Sequence, residues 1–146
     1  MQPPSSAKEH MGVESFAGIP FASPPTGNLR LRPPQRIRNN IGVVDGTGIA
    51  GACPQQAFRP EDLTIQKIGF SAANNPTDLV RFGISQRKPF IFVAVNYRVS
   101  GFGFLGGKEV GAEGSANLGL LDQRIGLEWV ADNIAEFDGD PDRVII

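Results

Sequence analysis

Two segments of the chain carry the clearest pattern of apolar and polar positions. Phe90 to Tyr97 (FIFVAVNY) opens with an unbroken apolar run, Phe90 to Val95, rich in β-branched and aromatic side chains. Such a run suits a central strand covered on both faces, as in a parallel sheet. Leu118 to Ile134 instead repeats at helical spacing. Leu118, Leu121, Ile125 and Trp129 fall at i, i+3, i+7 and i+11, and Val130 and Ile134 widen the stripe. Asn117 stands where an N-cap would, and Asp122 is placed to favour the first turn. Gly139-Asp140-Pro141 ends the helix, and Val144-Ile145-Ile146 reads as the opening of another strand. Strand, loop, helix, strand predicts a βαβ unit and an α/β fold class.

The remaining patterning is weaker. Leu63 to Ile68 alternates enough for a short strand, Asn74-Asn75-Pro76 breaks what precedes it, and Asp78 to Ile84 predicts a short helix. Phe16 to Gln35 is punctuated by Pro20, Pro24, Pro25, Pro33 and Pro34. A segment of that kind is extended and poor in ladder hydrogen bonds. Residues 36–62 read as mixed and turn-rich, and residues 1–12 as a disordered tail.

Composition narrows the classes. A chain of 146 residues is long enough for one domain with a real core. Formal net charge is −1, which gives no general attraction for nucleic acid or a membrane surface. Eighteen Gly and twelve Pro imply many turns, more than a tight helical bundle holds. No stretch approaches the length of a membrane span, and MQPPSSAKEHMG lacks the apolar run of a signal peptide. The lone cysteine, Cys53, forms no internal disulfide or zinc site, so no metal and no cofactor is expected. The lone histidine is His10, so any serine-histidine-acid machinery in these residues would have to use it.

Four motifs invite a functional reading, and each lacks the context its chemistry needs. Gly101-Phe102-Gly103-Phe104-Leu105-Gly106 spells G-x-G-x-x-G after a strand, but the glycine-rich GKEVGAEGSAN follows where a helix should present its amides to a pyrophosphate. A hydrophobic turn is the better reading, with a dinucleotide-binding domain as the alternative. Gly69-Phe70-Ser71-Ala72-Ala73 nearly forms a nucleophile elbow, but ends on Ala and runs into Asn74-Asn75-Pro76, where an elbow needs a helix. Asp138 to Asp142 (DGDPD) alternates carboxylates like a calcium loop, with Arg143 in place of the required glycine, and reads as a solvated turn. Arg30, Arg32, Arg36 and Arg38 cluster among prolines and read as a solvated edge rather than a phosphate site.

Two blocks of sequence then carry a resemblance. Phe16-Ala17-Gly18-Ile19-Pro20-Phe21-Ala22, followed by Pro24-Pro25, Gly27 and Leu29-Arg30, resembles the N-terminal signature of the type-B carboxylesterase/lipase family. NYRVSGFGFL and AEGSANLGLLDQRIGLEWVADNIAEFDGDPDRV resemble the strand, loop and helix that lead to that family's nucleophile elbow. AEGSAN and Ala52-Cys53-Pro54-Gln55-Gln56 lean towards its fungal lipases.

The resemblance implies an α/β-hydrolase fold, here partial, with a mostly parallel and incomplete sheet. It implies ester hydrolysis of small-molecule or lipid esters by a serine nucleophile, an acid and a histidine, with backbone amides as oxyanion hole. Phe102 and Phe104 become core anchors packed on the sheet, and GFGFLG binds no nucleotide. The family continues past the equivalent of Val144-Ile146 into the serine elbow, with acid and histidine later, so no catalytic residue is assigned here. Pro60-Glu61-Asp62-Leu63 lacks the cysteine of the family's Ser-Glu-Asp-Cys-Leu motif, and no run of three glycines supplies oxyanion amides. These departures imply an internal deletion around residues 65–75 in a type-B carboxylesterase unit spanning 13–146, and an exposed edge beside Phe90 to Tyr97. The expected chain is catalytically incomplete by itself, with a non-catalytic, esterase-like binding protein as the alternative.

Overall fold

The computed structural model describes residues 8–10, 12–48 and 76–146. Leu63 to Ile68, the Ser71 motif, Cys53 and the deletion expected around 65–75 lie outside the described residues. The chain opens with a hairpin: β1 (Lys8–His10) pairs antiparallel with β2 (Val13–Ser15), with Lys8 opposite Ser15 and His10 opposite Val13. The connection contains Gly12 at φ 77°, a conformation glycine adopts without a Cβ penalty. Paired structure therefore begins inside the 1–12 segment expected as a tail.

The proline-rich segment folds back on itself without forming a sheet. Ala22 and Arg36 make an isolated antiparallel bridge, and the Ser23 amide donates to the Gln35 carbonyl at 2.8 Å. The Ala17 amide donates to the Gly46 carbonyl at 2.7 Å, closing the loop at its other end. Prolines lack the N–H a ladder needs, so single bridges replace continuous pairing.

Four helices follow: α1 (Thr77–Ser85), α2 (Ser100–Phe104), α3 (Lys108–Ala112) and α4 (Leu118–Asn133), with a 3-10 turn over Ile134–Phe137 extending the last. Helix α1 matches the expected Asp78–Ile84 helix to within a residue at each end. The two short helices α2 and α3 were not expected, because their glycines break any apolar period. Each is too short to hold together without its neighbours.

Phe90 to Tyr97 does not form a strand. Residues 88–99 carry no helix, turn or ladder, and among the described residues there is no parallel pair, so the sheet of the expected βαβ unit is not seen within them. A strand exists only through a hydrogen-bonded neighbour, and no described segment forms a ladder with this one. Val144-Ile145-Ile146 likewise stays outside any strand, with Ile145 and Ile146 98% exposed.

The layering expected around a central strand is nevertheless present. Phe90 packs its ring against Gly83 of α1, while Val95 packs against Gly126 of α4 and Ile91 reaches Gly139 beyond it. Even and odd residues of an extended run point to opposite faces, so α1 and α4 cover the two faces of this segment. The core among the described residues is small: Val99, Leu118, Val130 and Ile134 are its buried apolar side chains.

Helix α4 buries a different stripe from the one its apolar residues mark. The buried positions are Leu118, Gly119, Asp122, Gly126 and Val130, continued by Ile134, whereas Leu121, Ile125 and Trp129 are half-buried. Glycine decides this. A methyl group at 126 would lie 2.7 Å from Val95 Cγ1, and one at 119 would lie 2.5 Å from the Arg98 carbonyl oxygen and 2.7 Å from the Phe104 ring. The helix approaches the 95–98 segment along its least bulky line, which displaces the larger side chains sideways.

Asn117 occupies the N-cap position but makes no side-chain cap bond. It sits in the left-handed region at φ 54°, and its carbonyl accepts the amides of Leu120 and Leu121. Asp122 lies beyond the first turn, so the dipole role expected for it is not the one it plays.

Candidate functional site

The most developed polar cluster centres on Arg98, at the end of the extended segment. Its backbone amide donates to Asp122 Oδ2 at 2.9 Å, its Nε donates to the same oxygen at 2.8 Å, and Nη2 donates to Oδ1 at 2.7 Å. Nη1 donates to the Arg32 carbonyl at 2.7 Å. The side chains of Arg98 and Asp122 are 7% and 8% exposed, so this is a buried, two-pronged ion pair. Its geometry matches the planar guanidinium to the planar carboxylate. Three separate pieces of chain meet here: the proline-rich segment, the end of the 90–98 run, and α4.

Other arginines extend the same stitching at the surface. Arg36 pairs with Asp132 and reaches Glu128 at 3.6 Å, both on α4. Arg32 approaches Glu113 at 3.9 Å, and the Arg30 guanidinium stacks over the Phe102 ring, 5.5 Å from its centroid. These arginines are exposed, as a solvated edge implies, and three of them also face partners on α4 and the 100–113 region. The expectation for Phe102 and Phe104 is corrected. They are 39% and 44% exposed, and their rings contact Arg30 and Gly119 instead of anchoring a core.

The G-x-G-x-x-G stretch forms the five-residue α2, with Gly103 packed so closely that a methyl group would lie 2.0 Å from the Arg98 carbonyl oxygen. That glycine serves chain crossing, and α2 is far shorter than a helix that binds pyrophosphate. In DGDPD, Asp140 Oδ1 accepts the Asp142 amide at 3.0 Å and the Asp140 carbonyl accepts the Arg143 amide, a self-contained solvated turn. Among the described residues no group of His, Cys, Asp and Glu could hold a metal ion.

One pocket of about 220 Å³ opens beside α3, lined by Leu31, Leu105, Glu109, Val110, Glu113, Ser115 and Leu118. Ser115 Oγ is enclosed and has no hydrogen-bond partner. A serine becomes a nucleophile through a base hydrogen-bonded to it; the lining holds the carboxylates of Glu109 and Glu113, and neither is bonded to Ser115 Oγ. The single histidine of the sequence, His10, lies on β1 opposite Val13. The described residues therefore bring together a structural ion pair and a small pocket, and no serine-histidine-acid constellation.

The Arg98–Asp122 pair was missed in the sequence reading, although a carboxylate on the apolar side of an amphipathic helix is a legible sign of a buried partner. Gly119 and Gly126, seven residues apart on that helix, were the corresponding sign of a close crossing.

The sequence matches the Carboxylesterase family in two overlapping blocks, residues 3–71 and 67–146. A secreted triacylglycerol lipase of Gibberella zeae is 43% identical over 185 aligned residues, covering 92% of this chain and 32% of that protein. Lipase 5 of Diutina rugosa is 37% identical, covering 91% of this chain and 34% of its own length. Among solved structures, Aspergillus niger EstA superposes with a TM-score of 0.71 at 31% identity, over 88% of this chain and 30% of that one. A PNB esterase superposes at 0.70, also at 31% identity, over 92% of this chain and 34% of that one. The chain thus spans about a third of the length of the relatives it matches.

Proposed function

The chain belongs to the Carboxylesterase family and its fold is part of the α/β-hydrolase fold, and from that premise we propose that it contributes the N-terminal portion of a carboxylic-ester hydrolase. The activity of the complete family fold is hydrolysis of small-molecule or lipid esters by a serine nucleophile. The 43% identity to a secreted triacylglycerol lipase supports a lipid-type ester over a small acetyl ester. The 146 residues by themselves do not catalyse that reaction.

The observation that carries this reading is the match across residues 3–146 at about a third of the relatives' length, without a catalytic constellation among the described residues. The unit runs over residues 13–146 and carries an internal deletion around 65–75. Two features support the deletion: the family match falls in two blocks that meet at residues 67–71, and the aligned length of 185 exceeds the 146 residues present.

A fluorophosphonate serine probe tests the reading directly. The purified 146-residue chain is expected to remain unlabelled and to leave p-nitrophenyl esters intact. Active-site labelling of a serine in this chain would overturn it. Sequencing the transcript across the codons for Ile65 to Phe70 tests the deletion, and a glycine-rich segment spliced there in the mature message would remove it. The second reading, an esterase-like binding protein without chemistry, is favoured by the buried ion pair, which builds a defined fold with no reactive group attached.

A further inference from the structure

The pocket beside α3 divides its lining in a way that suits one class of ligand. Leu31, Leu105, Val110 and Leu118 are apolar, and the remaining side chains are the carboxylates of Glu109 and Glu113 and the hydroxyl of Ser115. Every one of these belongs to the described residues, and no cationic side chain lines the pocket.

The local backbone brings the three polar groups to one place. Glu113, which follows α3 at its C-cap, donates its amide to the Glu109 carbonyl at 3.1 Å, so the two residues stand one turn apart on the same side of the helix. Gly114, at φ 69°, then turns the chain back, and the Ser115 amide donates to the Val110 carbonyl at 3.0 Å. Ser115 is thereby folded against the helix, 5% exposed, with its Oγ unbonded. A buried hydroxyl without a partner is rare in a folded chain and calls for one. The carboxylate of Glu113 is free to take a ligand, because its 3.9 Å approach to Arg32 joins two largely exposed side chains and contributes little.

We propose that this pocket binds a small primary alkylammonium ion, its hydrocarbon against the leucines and Val110 and its ammonium among Glu109, Glu113 and Ser115. A primary ammonium has three N–H donors and no acceptor, which matches three oxygen-bearing acceptor groups. An alcohol of the same length offers one donor and no charge, and a carboxylic acid meets two like charges. At about 30 Å³ for each water-sized group, 220 Å³ takes roughly seven heavy atoms, the size of n-hexylammonium. The site uses no part of the ester chemistry and stands independently of it.

Titration of the 146-residue chain with n-hexylammonium, 1-hexanol and hexanoate, followed by amide NMR, gives the test. The Val110 and Ser115 amides are expected to shift with a Kd on the order of 1 mM for the ammonium. Hexanol is expected to bind about tenfold more weakly, and Glu109→Gln and Glu113→Gln each to weaken the ammonium about threefold. Ser115→Ala separates a ligand contact from a structural role. It is expected to weaken the ammonium while leaving the urea midpoint unchanged or higher, because it removes only an unbonded hydroxyl. Equal affinity for alcohol and ammonium overturns the proposal, as does a chain in which these amides do not move. A lowered urea midpoint for Ser115→Ala with unchanged ammonium affinity assigns the hydroxyl to the chain's own structure and overturns it equally.

Discussion

Replacing Asp122 by Asn should unfold much of this chain's margin of stability while changing the side chain's shape hardly at all. The carboxylate accepts three bonds from Arg98, at 2.7, 2.8 and 2.9 Å, in a site where both side chains are under a tenth exposed. Hydrogen bonds to charged groups contribute about 1.5–3 kcal/mol each, but desolvating the two ions offsets most of that gain. The asymmetry is what matters. Asp122→Asn leaves the Arg98 guanidinium buried without a counter-charge and turns an amide N–H₂ towards one of its donors. Removing one partner of a buried pair costs about 3–5 kcal/mol, against a total of roughly 5–15 kcal/mol for a domain.

The double variant Arg98→Met/Asp122→Leu removes both charges and keeps the volume. It should cost less than either single change, about 1–3 kcal/mol, because only the Arg98 amide and the Arg32 carbonyl then lose a partner. Equilibrium urea unfolding followed by Trp129 fluorescence measures all three, with an unchanged m-value confirming that only stability moved. A loss below about 1 kcal/mol for Asp122→Asn would refute the reasoning. So would a double variant whose loss equals the sum of the two singles, since that would mean the pair is not coupled.

The glycine crossing makes a second prediction. Gly126→Ala should cost about 1–3 kcal/mol, the usual penalty of overpacking, and Gly119→Ala should cost more, because it meets the Arg98 backbone oxygen where Gly126 meets only the Val95 side chain. Thermal melts of the two variants give the order, and equal melting temperatures would contradict the crossing. Asn117→Gly should stabilise α4 by up to about 1 kcal/mol, since glycine adopts φ 54° freely; a side-chain cap would instead make that change destabilising. Arg36→Ala should lower the urea midpoint only slightly, by less than about 1 kcal/mol, because its partners Glu128 and Asp132 are 37% and 60% exposed. Added salt should erase even that difference.

The family is legible in short local strings. FAGIPFA with its following prolines, and NYRVSGFGFL with the helix after it, are contiguous patterns that need no coordinates to recognise. Helices α1 and α4 were legible for a similar reason. Helical periodicity is written in residues three and four apart, and the backbone bonds that make a helix close within the same few residues. The strand was not. FIFVAVNY has the composition of a buried strand, but strand status depends on a neighbouring chain, and no described segment supplies one.

The sequence by itself determined where apolar residues gather, where the two longer helices α1 and α4 form, and which family the chain belongs to, because those properties are local or are compared string against string. The tertiary structure decided which side of α4 is buried, through two glycines that admit the Arg98 backbone and the Val95 side chain. It decided that Asp122 is a counter-ion rather than a helix-terminal charge, since its partner lies 24 residues away in sequence. It decided that Arg36, exposed among the prolines, faces Glu128 and Asp132 of α4. Each of these depends on distances between residues far apart along the chain, which composition and periodicity do not encode.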